Sequence, residues 1–333
     1  MRIVIVSDAW KPQVNGVVRT LSVLVGELEK TGHAVTMITP DRFRTMPCPT
    51  YPEIRLSLFP GHKLSKLIED SQPCAIHIAT EGPLGWAARK YCRARKLPYT
   101  TAYHTRFPEY VRARFGVPVG VSYAVMRRFH GPAASVMVAT PTIEAELNRR
   151  GFKRIRRWSR GVDTDLFNPA HAPVFEGLPR PIFLSVGRVA VEKNLDAFLS
   201  LDLPGTKVVV GDGPQRASLQ ARFPDAVFVG AKHGKELAAH YADADVFVFP
   251  SRTDTFGLVL LEALACGLPV AAYPVAGPLD VIDDPQVGIL HEDLGQAARM
   301  ALSLSHDHCR AFAARYSWQG SARQFLDNLQ PFN

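Results

Sequence analysis

The sequence predicts an α/β protein of two domains, each with a parallel sheet covered by helices on both sides. Three observations carry this expectation. Short apolar runs alternate with helical patterns along the whole chain, the signature of βαβ units. The alternation restarts after an irregular, proline-rich stretch, Asn168-PAHAPVFEGLPRP, which reads as a linker. At 333 residues, 47% of them hydrophobic and 21% charged, the chain has room for two cores of ordinary size.

The first series opens with Ile3 to Val6 and Asp8, then a helical pattern from about Gly16 to Lys30 and a strand at Ala34-VTMIT. Cys74-AIHIA follows, with a helix over Gly82 to Lys96. The second series reads Ile182-FLSVG, a helix from about Asn194, Thr206-KVVVG, a helix from Pro214, and Ala226-VFVG. It continues with a helix from Lys235, Asp245-VFVFP, a helix from Phe256, and Pro269-VAAYP. These strands are short and apolar on both faces, as a parallel sheet buried between helices requires. Ligands of such sheets gather at the carboxyl ends of the strands, and two domains set face to face leave a cleft. The expected division is residues 1–168, residues 169–316, and a C-terminal helix over 317–333 that returns toward the N-terminal domain.

Composition narrows the partners. The net charge of +8 is unevenly shared: residues 1–170 hold 26 Lys+Arg and 13 Asp+Glu, net +13, and residues 171–333 hold 13 and 18, net −5. A basic N-terminal half implies an anionic partner such as a lipid surface, a phosphorylated acceptor or nucleic acid, unless it is simply a solvated face. The five cysteines are scattered and lack CxxC spacing, so neither a disulfide framework nor a zinc site is expected. No stretch approaches the roughly 18–20 apolar residues of a membrane span, and no secretory signal is read at the N-terminus. These features describe a reduced, cytoplasmic protein.

Chemistry concentrates in the second series. Val186-GRVAVEKN places Gly187, Arg188 and Lys193 just beyond a strand, where two cations can clamp a pyrophosphate and stabilise a departing diphosphate. Ser251-RTDTFGLVLLEALACG runs from a strand end into a helix, with Asp254 and Glu262 eight positions apart and Glu262 about two turns inside. The turn at Thr255, Phe256, Gly257 and Leu258 would present backbone N–H groups to a diphosphate. Asp254 or Thr255 capping an ordinary helix is the bland alternative. Val210-GDGP and Phe228-VGAK add Gly211, Gly230, Ala231 and Lys232 at two further strand ends.

In that order these motifs resemble the family 4 retaining glycosyltransferases of GT-B architecture, two Rossmann-like parallel-sheet domains facing an interdomain cleft. The resemblance spans almost the whole chain. It implies that Arg188 and Lys193 hold the donor diphosphate and that an E-x7-E element supplies sugar and ribose contacts. Here the first acid is Asp254, one methylene shorter than the family's glutamate, and the second is Glu262. It further implies that the base is met near Gly230, Ala231 and Lys232, with no cofactor and no catalytic metal. Asp243 and Asp245 form a D-x-D that would suggest a metal site, but they immediately precede a buried strand, and the metal reading is rejected because the resemblance implies that no catalytic metal is needed.

In the first series, Asp8-AWKPQVNGVVRT places Gly16 at a helix start, where a glycine lets backbone approach a phosphate or simply permits a tight turn. It is not a G-x-G-x-x-G fingerprint. Asp8 could contact an acceptor hydroxyl. Glu81, in Thr80-EGPLG, is either an acceptor contact or an acid favoured at a helix N-terminus. His104, in Ala102-YHTRFPEY, lies at a strand end, and the resemblance implies an active-site role beside the sugar. Arg160, in Arg160-GVDTDLF, is a candidate donor or acceptor contact, and Asp163 reads as structural.

The SDAWKPQVNGVVRT, TEGPLG and YHTRFPEY segments are similar to the lipid-glycosylating subset, which includes diacylglycerol glycosyltransferases and GDP-mannose-dependent mannosyltransferases. Two basic stretches, Arg89-KYCRARK and Tyr110-VRARFGVPVGVSYAVMRRFH, then suit docking on anionic lipid at the inner face of the cell membrane. No nucleic-acid module is recognisable. The expectation is transfer of a hexose from a UDP-sugar to a lipid such as diacylglycerol. GDP-mannose as donor, a nucleotide-sugar epimerase on the same fold, and a non-catalytic binding protein are the rivals.

Overall fold

The computed structural model describes residues 1–13, 15–48 and 51–332. The chain forms two compact units: residues 1–160 together with the C-terminal stretch from Trp318, and Gly161–Ser317. In the first unit, strands β1 (Arg2–Val6), β2 (Ala34–Ile38), β5 (Ala75–Ile78), β6 (Thr100–Tyr103), β7 (Ser135–Val138) and β8 (Ile155–Arg157) make an all-parallel sheet. Its order is β2-β1-β5-β6-β7-β8. Strands β3 (Thr45–Cys48) and β4 (Tyr51–Ser57) form a separate antiparallel hairpin.

The apolar run in β1 is explained by burial on both faces. Successive side chains of a strand point to opposite sides. Val4 and Val6 enter one core with Ile76, Ile78 and Phe129. Ile3 and Ile5 enter another with Leu21, Leu24 and Leu28 of the helix Gly16–Lys30.

The second unit repeats the plan. Strands β9 (Ile182–Val186), β10 (Thr206–Val210), β11 (Val227–Gly230), β12 (Val246–Phe249), β13 (Val270–Ala272) and β14 (Gly288–Leu290) are all parallel, in the order β11-β10-β9-β12-β13-β14. Each sheet starts in its interior and reverses direction once, between β1 and β5 and between β9 and β12. Carboxyl ends diverge at such switch points, which is where open α/β sheets bind ligands.

The chain leaves the first unit at Arg160 rather than at 168. The proline-rich stretch is fastened to the second unit by the rejected D-x-D pair. Asp243 Oδ2 accepts from the N–H groups of Val174 and Phe175, both at 2.7 Å, and Arg180 pairs with Asp243 and, at 3.0 Å, with Asp245.

The helix Trp318–Asn328 is built into the first unit. Phe325 lies 5.0 Å from the Trp158 ring, Ser321 Oγ accepts from Trp158 Nε1 at 3.1 Å, and Gln324 Oε1 accepts from Ser159 N at 2.8 Å. The β3–β4 hairpin, β8 and β14 carry no periodic signal strong enough to announce them in the sequence.

Candidate donor and acceptor sites

At the second unit's switch point, Gly187, Arg188 and Lys193 line one hollow with Phe249 and Ser251. Side-chain and backbone bonds fix its walls. Asn194 Nδ2 donates to Pro250 O at 3.1 Å, tying the loop after β9 to the end of β12. The two glycines at neighbouring strand ends differ in kind. A Cβ on Gly211 would stand 1.8 Å from Gly187 O, so Gly211 is required by packing between strand ends. A Cβ on Gly187, at φ +151°, would meet nothing within 4 Å. Gly187 therefore leaves backbone open toward the hollow, as close approach of a phosphate needs.

Lys193 and Asp254, 61 residues apart, meet in a bidentate ion pair, with Lys193 Nζ at 2.7 and 2.8 Å from the two carboxylate oxygens. Both side chains are largely withdrawn from solvent, at 27% and 19% exposure. The acid that departs from the family pattern thus sits directly on one of the two expected diphosphate cations.

The helix after β12 begins at Leu258, not Phe256, because Gly257 adopts φ +85° and closes the turn. Glu262 consequently lies one turn inside it, where its Oε2 accepts from the hydroxyl of fully buried Tyr241 at 3.1 Å. Phe256 is buried and packs the loop from within. Thr255 and Leu258 are part-exposed on either side of that turn. Gly230, Ala231 and Lys232 close β11, at the opposite sheet edge from β14 and two strands from β9, and Lys232 pairs with Glu236.

In the first unit, Asp8 and Arg160 are drawn into the fold rather than held toward a substrate, which corrects the expectations for them. Asp8 is turned into the fold: Oδ1 accepts from Leu84 N at 2.8 Å, and Oδ2 from Gly85 N at 3.2 Å and Thr80 Oγ1 at 3.0 Å. It caps the helix Pro83–Ala94 across the β1/β5 switch point instead of reaching for a hydroxyl. Burial pushes its carboxyl up to about 6 despite those hydrogen bonds.

At the exposed Gly16, which starts its helix, the next two N–H groups, of Val17 and Val18, donate to Asn15 Oδ1 at 3.0 Å. Arg160 is 5% exposed and donates to Trp158 O at 2.6 Å, Ser159 O at 3.1 Å and His104 Nδ1 at 3.1 Å. Its guanidinium stacks on Trp158, and burial lowers it to about 9.

His104, just past β6, is therefore oriented by its neighbours. An arginine can only donate, so Nδ1 accepts and the proton sits on Nε2. Burial, then the Arg160 cation, His77 and His130, hold the imidazole well below its usual range, so it is neutral near pH 7. The Trp158 ring meets it edge-on at 5.5 Å. Glu81 shares its Oε1 with His130 Nε2 at 3.2 Å, and His130 Nδ1 bonds Thr101 Oγ1 at 2.9 Å. That contact makes Glu81 part of a structural chain through the core.

Trp158, His130 and Tyr241, which hold these groups in place, were not legible as site residues. Each occupies an ordinary apolar position in the sequence pattern. Among the described residues no group of three or more His, Cys, Asp or Glu is arranged to hold a metal ion. No helix among the described residues is long and apolar enough to cross a membrane.

Comparison with known proteins adds what geometry alone does not. Residues 14–166 match the family described as Glycosyltransferase Family 4, and residues 180–307 match Glycosyl transferases group 1. A GDP-mannose-dependent alpha-mannosyltransferase of Mycobacterium tuberculosis is 34% identical over 318 residues, spanning 87% of this chain and 83% of that protein. The chain belongs to glycosyltransferase family 4. Another family relative, the alpha-monoglucosyldiacylglycerol synthase of Streptococcus pneumoniae, is 26% identical over 100% of this chain and 85% of its own.

The fold is that of the sucrose-phosphate synthase from Thermosynechococcus elongatus, with TM-score 0.76, 23% identity, and 98% and 97% of the two chains covered. The protein is accordingly a GT-B glycosyltransferase that uses a nucleotide sugar.

Proposed function

We propose that this enzyme moves mannose from GDP-mannose to the hydroxyl of a lipid acceptor, with retention of anomeric configuration and without a catalytic metal. The observation that carries the reading is the open backbone of Gly187 beside Arg188 and Lys193 in one strand-end hollow. Open backbone and paired cations at a switch point suit a diphosphate. GDP-mannose takes the place of the UDP-sugar favoured by the motifs, because the relative named for it combines 34% identity with coverage of most of both chains. A lipid acceptor is supported by the relative named as a diacylglycerol glucoside synthase.

In this reading Arg188 and Lys193 stabilise negative charge on the diphosphate as the sugar C1–O bond breaks. The acceptor oxygen bonds to C1 on the same face, and its proton passes to the departing phosphate oxygen. His104, neutral and protonated on Nε2, serves as a hydrogen-bond donor to a substrate hydroxyl.

The test is product analysis with GDP-mannose or UDP-glucose, with and without dispersed diacylglycerol. Mannosyl lipid formed from GDP-mannose alone among the donors supports the reading. Transfer only from UDP-glucose, isomerised sugar without acceptor, or transfer undiminished in both Arg188→Ala and Lys193→Ala would contradict it.

A further inference from the structure

Phe59 is 97% exposed, the most exposed large apolar side chain among the described residues, and its backbone is left-handed at φ 48°. Both features are costly. A phenylalanine in water forfeits the free energy of its burial, and a non-glycine residue at positive φ is strained. The conformation is nonetheless enforced. Leu58 N donates to Arg44 O at 2.8 Å, and the helix Gly61–Ser71 starts two residues later. Leu58, at 40% exposure, and Met46, at 44%, continue the apolar surface onto the β3–β4 hairpin.

The surrounding charge is predominantly positive. Between residues 42 and 66 the sequence holds five cations (Arg42, Arg44, Arg55, Lys63 and Lys66) and one acid, Glu53. All five cations are exposed. Asp41 precedes this stretch, and Glu69 and Asp70 lie at the far end of the helix, where Glu69 is paired with Arg95.

In the basic stretch starting at Arg89, Lys90, Arg93, Arg95 and Lys96 are exposed, but no large apolar side chain is exposed among them. Arg89 is 7% exposed and donates to Phe129 O and Arg128 O. In the second stretch Tyr123, Met126, Phe129 and His130 are core residues, while Val121 and Val125 are exposed without an aromatic tip such as Phe59 among the described residues.

We infer that Phe59, with Leu58 and Met46, is a wedge that enters the headgroup region of an anionic bilayer while Arg44, Arg55, Lys63 and Lys66 bind its phosphates. An exposed aromatic tip on a segment rich in exposed cations matches the two attractions of an interfacial membrane site: apolar insertion and surface potential. This surface rests on the lipid-acceptor reading for its purpose but not for its detection.

Co-sedimentation with phosphatidylcholine vesicles, with and without phosphatidylglycerol, at low and high salt, tests it. The wild type should bind the phosphatidylglycerol vesicles and be weakened by salt. Phe59→Ser should lower the partition about tenfold, and Lys66→Glu about fivefold or more at low salt. Phe59→Trp should keep the binding. Phe59→Gly should raise the melting temperature by relieving the backbone while losing binding as Phe59→Ser does, a pairing that a merely structural phenylalanine would not give.

Equal partition of wild type and Phe59→Ser, or equal binding to neutral and anionic vesicles, would overturn the inference. Vesicle binding without sugar transfer to lipid would leave this surface standing and defeat the proposed acceptor. Transfer to lipid without Phe59-dependent binding would do the reverse.

Discussion

Lys193 reaches the strand-end hollow with its charge already shared, because both oxygens of Asp254 hold its ammonium at 2.7–2.8 Å. A donor diphosphate must compete with that carboxylate. Asp254→Ala should therefore tighten binding of GDP itself, severalfold by the usual size of a part-exposed pair, while slowing transfer if Asp254 also meets the sugar. Lys193→Ala should lower kcat/KM by about 10²–10³-fold, as loss of a donor to developing negative charge does elsewhere. Isothermal titration with GDP and steady-state rates check the two.

Titrating residues give a second residue-scale test. Burial lowers His77 to about 3 and holds His104 well below 6.5, so the unfolded chain takes up protons first as pH falls below about 6.5. These histidines contribute stability above that pH that is lost on acidification. Asp8 works in the opposite sense. Its folded carboxyl at about 6 lies above the ordinary 3.8, so it costs stability above 6 and the cost is relieved between 6 and 3.8. Asp8→Asn removes that compensation, and melting curves between pH 6.5 and 4 should fall more steeply for the variant than for wild type.

At the scale of elements, the strands that carry the site were legible because burial on both faces leaves continuous apolar runs, as in Ile182 to Leu184. The order of strand-end motifs put Gly187, Arg188 and Lys193 just beyond one strand, and all three line one hollow. Helix starts were less legible: Gly257 at φ +85° moves the helix start two residues, to Leu258, so that Glu262 lies about one turn inside, and nothing local in TDTFG announces that conformation.

Nor could the sequence show that Asp8 caps a helix more than seventy residues away, or that the C-terminal helix braces Trp158. These are partnerships between distant segments, invisible to periodicity. Phe325 is fully buried against Trp158, which in turn carries Arg160 and His104. Phe325→Ala should cost about 3–5 kcal/mol of stability and reduce turnover through His104. Gly211→Ala, with its Cβ 1.8 Å from Gly187 O, should lower the melting temperature more than Gly187→Ala, and Gly187→Ala should weaken nucleotide binding more than its stability loss explains.

For the whole molecule, two parallel-sheet units, family membership and relatives that use nucleotide sugars agree on the class of reaction. The charge asymmetry also finds a structural outlet in the cationic segment around Phe59, which the periodicity of the basic stretches did not single out because its cations are scattered over a hairpin and a helix.

The central claim is that the hollow at Gly187, Arg188 and Lys193 holds the diphosphate of the donor. Calorimetric titration of GDP-mannose into wild type and Arg188→Ala tests it most directly. Saturable binding to the wild type and at least about tenfold weaker binding to the variant, the usual scale for losing a charged hydrogen bond to phosphate, is the expected result. Equal affinity of the two proteins would contradict it.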